Sequence, residues 1–185
     1  MYRSLLDYWG KKVIKMTEQK VKETVKAEEY GSVLHYLVGS KADEFLMEEE
    51  TLKKIGLNDI NRDDLYIELT IMNMFVIIKQ YTRWEKNEEV YTKALDQMHF
   101  LFFHQLKEYS NYDEDDIEQL HELIFRRYDE YSNAIQNNIE DNWSKTLSRA
   151  LLNNIDDEIE DIGSNIIAKN IEKFYQAIPN ILNSI

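Results

Sequence analysis

The most apolar stretch of the sequence decides the fold: residues 64 to 86 read DLYIELTIMNMFVIIKQYTRWEK. Large apolar side chains recur in it every three or four residues, which is the spacing of one face of an α-helix. Three more apolar residues, Leu69, Met72 and Val76, lie behind that face. A helix that is apolar nearly all round must be covered on every side, so we predict a central helix within a bundle. Its main apolar face consists of Ile67, Ile71, Met74, Phe75, Ile78, Tyr81 and Trp84.

Glycine and proline are scarce, with five Gly and one Pro in 185 residues. Because these residues mark most turns, their scarcity predicts long uninterrupted elements. The abundance of Glu, Lys, Leu and Ile favours helices over strands. We therefore predict an all-α fold, an irregular bundle of six to eight helices around the central one. Residues 1 to 185 are predicted to form a single helical domain.

The helical spacing extends along most of the chain. Gly31 and Gly39 bracket a short apolar segment, residues 33 to 38, which we predict to be a separate short helix. Pro179 is expected to stop or bend the last helix. The other predicted helices run approximately from Tyr2 to Ala27, Lys41 to Ile55, Asp64 to Lys86, Asn87 to Tyr109, Asp115 to Asn138, Ile139 to Asn154 and Ile155 to Ala177.

Local signals set several of these bounds. Ser40 followed by Asp43 resembles a capping box, and Gly56 after two lysines is typical of a helix end. Asn61 or Asp63 is predicted to cap the central helix.

The net charge of −13 is unevenly distributed. Residues 1 to 30 carry seven Lys or Arg and five acids, a net of +2, so the remaining 155 residues carry −15. Such an acidic body repels phosphates, which argues against nucleic acid as a partner.

The absence of cysteine removes disulfides and thiolate metal sites, and it favours a reducing compartment. The first ten residues lack the apolar stretch of a secretory signal. The longest wholly apolar run, Met74 to Ile78, is too short to span a bilayer. We expect a cytoplasmic protein without a transmembrane segment.

Motifs of nucleophilic catalysis and of nucleotide binding are missing. The sequence has no Cys, no Gly-x-Ser-x-Gly elbow, no Gly-rich phosphate loop and no dinucleotide fingerprint. We therefore favour a non-enzymatic role, leave an enzymatic one open, and predict no cofactor.

One spacing offers a metal-binding alternative. Acid-x-x-His occurs at Asp96 to His99 and at Glu118 to His121, and paired motifs of this kind hold metals in ferritin-like bundles. The alternative site would use Glu68, Glu118 and His121, as a metal-binding bundle or a metal-dependent enzyme. Helical angles place Asp96 away from the apolar stripe of its helix, and short motifs often arise by accident. We therefore prefer a structural role for His121 at the edge of the core.

Two surface patterns suggest interactions. Tyrosine is frequent at protein interfaces, and four tyrosines cluster with acids around one turn and the following helix. This predicted interaction face consists of Tyr109, Tyr112, Asp113, Glu114, Asp115, Asp116, Tyr128 and Tyr131. A basic stripe on the first helix is formed by Lys12, Lys15, Lys22 and Lys26.

The basic stripe lies beside an apolar one, a pattern of helices that bind a membrane surface or a partner. It could equally dock on the acidic body of its own chain or of a twin. Residues 1 to 30 are accordingly predicted as an amphipathic helix that protrudes as a dimerisation arm.

The preferred functional interpretation is an acidic helical protein that binds another protein, with a basic partner as its natural complement. Inhibitor, immunity, adaptor and chaperone roles fit equally well. Metal binding is the alternative, and peripheral membrane association through the first helix is a third interpretation.

Overall fold

The computed structural model describes the backbone of residues 2–110, 112–138, 142–156 and 161–185. It describes side chains from residue 20 onward within these ranges, residues 21, 161 and 162 excepted. In these residues there are seven α-helices and no strand, which confirms the predicted all-α bundle. The helices are α1 (Tyr2–Met47), α2 (Glu49–Lys54), α3 (Arg62–Trp84), α4 (Glu88–Tyr109), α5 (Glu114–Asn137), α6 (Trp143–Ile155) and α7 (Asp161–Leu182).

Helix α3 occupies the centre, as its all-round apolar sequence predicts. It contacts α1, α4, α5, α6 and α7. Ile71, Met74, Val76, Ile77 and Tyr81 on this helix are completely buried. Removing such side chains from water is the main stabilising contribution to a bundle of this kind.

Helix α1 is continuous through Gly31 and Gly39, so the predicted separate helix over residues 33 to 38 is wrong. Gly31 lies where α1 meets α4, and a Cβ atom placed on it would come within 2.5 Å of the Gln97 Cβ atom. The same Cβ atom would lie 2.7 Å from the carbonyl oxygen of Ala94. Gly31 therefore permits close packing of two helices and does not end one.

The predicted helix from Lys41 to Ile55 is also divided differently. Residues 41 to 47 belong to α1, and the short helix α2 begins only at Glu49. The Ser40 hydroxyl donates a hydrogen bond to the carbonyl oxygen of Leu37, within α1, and caps no new helix.

Contacts fix the direction of the helices around α1. Lys93 of α4 lies beside Thr24 of α1, with 3.4 Å between Nζ and Oγ1. Gln105, further along α4, interacts with His35, further along α1, so the two helices run parallel. Helix α3 runs antiparallel to α1, because Lys26 bonds to Glu85 after the end of α3 whereas the Val38 carbonyl accepts from Asn73 in its middle.

The local end signals at Asn61 and Gly56 are borne out, unlike the one at Ser40. Asn61 Oδ1 accepts hydrogen bonds from the backbone N–H groups of Asp63 and Asp64, which caps α3. Gly56 has a φ of +80°, and the N–H of Leu57 donates to the Leu52 carbonyl at 2.9 Å. This is the Schellman arrangement that ends many helices at a glycine.

Helix α6 begins at Trp143, later than predicted, because Asn142 Oδ1 accepts from the N–H of Ser144 and caps the helix. Helix α7 continues through Pro179 to Leu182, so the proline does not stop it. Proline costs one hydrogen bond here, and the buried residues Ile178 and Leu182 hold the last turn in place.

Candidate functional site: an acidic groove between α3 and α5

A groove of about 900 Å³ opens between the beginning of α3, the first half of α5 and the end of α6. Its apolar lining includes Tyr112, Leu120, Leu123 and Ile67. Four exposed carboxylates also line it: Asp59, Asp64, Asp116 and Glu122. We therefore call it the acidic groove.

The acids come together because two helix N-termini meet at the groove. Asp63 and Asp64 lie in the first turn of α3, and Asp116 lies in the first turn of α5. Carboxylates are favoured there by the N–H groups and dipole of a helix start. The side chains of Asp113 and Asp116 complete a reciprocal capping box, which fixes the entry of α5.

Tyr112 lies within the resulting negative field. Burial raises the pKa of its hydroxyl, and the charges of Asp116, Asp63 and Asp64 raise it further. The field therefore originates from both helices. Among the described residues that line the groove, the single cation is Arg126. Its Nε atom lies 3.9 Å from Glu130, a long contact between partly exposed groups.

Glu68 lines the inner side of the groove and is already engaged. Its carboxylate accepts hydrogen bonds from Nε and Nη2 of Arg127, with the shortest N to O distance at 2.6 Å. Nη1 of Arg127 donates to Glu130 at 2.8 Å. Burial would lower the pKa of Arg127, but its bonds to Glu68 and Glu130 raise it instead. The pair is a structural anchor between α3 and α5.

The structure does not bring the residues of the metal alternative together. Glu118 is exposed, and the exposed ring of His121 lies 4.7 Å from that of Phe125 and 5.7 Å from that of Phe103. No group of three or more His, Cys, Asp or Glu side chains in the described part of the chain is placed to hold a metal ion. Glu68, Glu118 and His121 of the metal alternative therefore do not converge, since Glu68 is paired with Arg127.

The predicted interaction face is divided between surface and core. Tyr112 and Asp116 line the groove, and Tyr109 is 82% exposed. Tyr131 is completely buried, so its assignment to a surface was wrong. Its ring lies against that of Phe75, 5.5 Å away, on the side of α5 that faces α3.

Tyr128 also faces inward. Its hydroxyl lies 2.9 Å from Nε2 of His99, whose Nδ1 lies 2.8 Å from the Leu95 carbonyl oxygen. Because that carbonyl can only accept, Nδ1 carries the proton and Nε2 accepts from Tyr128. Burial lowers the pKa of His99, which fits a neutral structural imidazole. His99, from the acid-x-x-His spacing that begins at Asp96, thus has a packing role.

The remaining acids of that face have different roles. Asp113 caps α5, Glu114 lies 3.3 Å from Lys107, and Asp115 is exposed. Sequence reasoning missed Asp59, Asp64 and Glu122. A signal for the last was available, since Gln119, Glu122, Leu123 and Arg126 share one helical face, but the sequence does not show that this face meets α3.

The basic stripe is only partly described, because the side chains of Lys12 and Lys15 lie outside the described residues. Lys22 is exposed. Lys26 Nζ lies 2.9 Å from Glu85 and 5.2 Å from the Tyr30 ring centre, and this bond to Glu85 raises its pKa. Lys26 thus docks on the acidic body of its own chain.

Within the described residues, no helix combines the length and the apolar character needed to cross a membrane. No protein family, no curated protein and no solved structure matches this chain.

Proposed function

We propose that this chain is a non-enzymatic protein-interaction protein whose acidic groove binds a basic segment of another protein. One observation carries the proposal: carboxylates from the loop before α3, from α3 and from α5 line one groove together with the half-buried Tyr112. Like charges are gathered there at an electrostatic cost that a basic ligand would relieve.

The lining of the groove suggests the chemistry of the ligand. Tyr112, Leu120 and Leu123 offer an apolar surface for aliphatic side chains, while the exposed acids at the edges suit Lys or Arg. An amphipathic basic segment satisfies both parts, and this division into apolar centre and polar rim is usual at protein interfaces. Inhibitor, immunity, adaptor and chaperone roles, in the cytoplasm, all agree with such a site.

The test measures binding of a labelled amphipathic peptide of Lys and Leu at helical spacing, by fluorescence anisotropy. The groove variant combines Asp59→Lys with Glu122→Lys, because neither residue caps a helix and both line the groove. Reversing two charges at the contact should weaken binding by about tenfold or more, since charge pairs that lose solvent on binding contribute strongly.

The matched control combines Glu29→Lys with Asp96→Lys. Both residues are exposed, neither lines the groove, and the net charge changes by the same amount. The control should weaken binding by no more than about twofold at moderate salt, because distant surface charges are screened. Equal losses in the two variants would mean that the peptide senses net charge alone, and the proposed site would then be abandoned.

A further inference from the structure

The segment formed by the first turns of helix α1, residues 2 to 19, has the chemistry that the acidic groove requires. Residues 2 to 19 read YRSLLDYWGKKVIKMTEQ, with four cations against two acids. Its apolar residues Leu6, Trp9, Val13 and Met16 follow three- and four-residue spacing. We propose that the ligand of the acidic groove is this segment, supplied by a second copy of the chain. The inference rests on the proposed function of the groove and names its partner.

The geometry of α1 separates this segment from the groove of its own chain. Helix α1 is unbroken from Tyr2 to Met47. The groove lies level with Gly39, because Tyr66, between the groove residues Leu65 and Ile67, has its hydroxyl beside that glycine.

The distance along the helix follows from these positions. At 1.5 Å per residue, the helix axis between Gln19 and Gly39 spans about 30 Å. Every other residue of the segment is further away. As long as α1 stays intact, the segment reaches a groove only on another molecule.

A pair of copies arranged about a two-fold axis fills both grooves at once. If the two α1 helices run antiparallel, the beginning of each helix lies at the level of the partner's Gly39 and hence of its groove. Such an isologous pairing is closed and stops at a dimer. The attraction is electrostatic, between the +2 of the segment and the acids of the groove, with the apolar residues of the segment covering the apolar lining.

Sedimentation velocity of the full chain over a range of concentrations tests the proposal. The segment variant is Lys11→Glu with Lys12→Glu and Lys15→Glu, and the groove variant is Asp59→Lys with Glu122→Lys. We expect the wild-type chain to form dimers and each variant alone to dimerise at least about tenfold more weakly. An equimolar mixture of the two variants should restore dimers. In a mixed pair, one contact joins the altered segment to the altered groove, and the other joins the two unaltered surfaces.

The control Glu29→Lys with Asp96→Lys should dimerise like the wild-type chain. A wild-type chain that stays monomeric at every concentration would overturn the inference, as would a variant mixture that stays monomeric while both variants keep their helical circular dichroism. Binding of the wild-type monomer to phosphatidylserine vesicles, lost in the segment variant, would assign the segment to a membrane surface and overturn the inference as well.

A peptide of residues 2 to 19 separates this inference from the proposed function. It is titrated against the segment variant, whose own segments do not compete for the groove. Adding Asp59→Lys and Glu122→Lys to the segment variant should weaken the binding of this peptide by about tenfold. Such a loss supports the inference even if the groove variant of the full chain folds poorly. If the Lys and Leu peptide binds at the groove and this peptide does not, the inference fails and the proposed function stands. If neither binds, both fail.

Discussion

Arg127 has two carboxylate partners of unequal exposure, and this inequality allows a test at the scale of single residues. The Glu68 side chain is 10% exposed and has Arg127 as its ion-pair partner, whereas Glu130 is 40% exposed. Arg127→Met should lower the free energy of unfolding by about 3 kcal/mol, because it leaves the Glu68 carboxylate unpaired in a poorly solvated position. Glu68→Met should cost less, since Arg127 keeps Glu130.

Urea denaturation of both single variants and the double variant measures the coupling between the two residues. The double variant should be more stable than Arg127→Met, because it removes the stranded charge together with its former partner. Additive losses would show that the pair is not coupled, and its role as an anchor between α3 and α5 would be wrong.

Single residues also show where sequence reasoning about the site fell short. Tyr112, Tyr128 and Tyr131 are equally amphipathic in isolation, and tyrosine accepts both surface and core positions. Tyr131 is buried because the side of α5 that carries it faces Phe75 of α3. The spacing of residues within α5 does not show which side of the helix packs on α3. The sequence could therefore predict that the site lies near the start of α5, but not which side chains line the groove.

At the scale of elements, Gly31 and Gly39 of α1 provide a matched pair of variants. Gly31→Ala should destabilise the fold by about 2 kcal/mol, because its Cβ atom would meet the Ala94 carbonyl, a backbone atom that cannot turn aside. At Gly39 the nearest atom to an added Cβ is the Tyr66 hydroxyl at 3.3 Å, which needs a shift of only a few tenths of an ångström.

Gly39→Ala should therefore be neutral or stabilising by up to about 1 kcal/mol, the helix-propensity difference between the two residues. Thermal unfolding followed by circular dichroism at 222 nm compares the variants. Equal stability changes at both positions would contradict close packing of α1 on α4 at Gly31.

The elements themselves were predictable to the extent that their causes are local. Asn61, Asn87 and Gly56 act on backbone groups within four residues, so their effects on helix ends could be anticipated. Gly31 was misinterpreted because its reason lies in α4, more than sixty residues away. Pro179 does not stop α7, because tertiary packing of Ile178 and Leu182 offsets the local cost of proline.

At the scale of the whole molecule, the charge distribution links stability to association. The net charge of −13 produces repulsion within the folded body, and salt reduces it by shortening the Debye length from about 30 Å at 0.01 M to about 10 Å at 0.1 M. The proposed docking of the basic segment into the acidic groove would be an attraction, which the same salt weakens.

Added sodium chloride should therefore raise the thermal midpoint of the segment variant, whose docking is weakened, while it lowers the dimer fraction of the wild-type chain. Calorimetry of the segment variant measures the first response, and sedimentation velocity of the wild-type chain measures the second. Each is carried out at about 0.01 M and about 0.1 M salt. The variant with Glu29→Lys and Asp96→Lys is ten units less negative than the segment variant and should show a smaller rise in midpoint, because less repulsion remains to be screened. A dimer fraction that grows with salt would indicate association driven by apolar contacts, and the electrostatic pairing of segment and groove would have to be replaced.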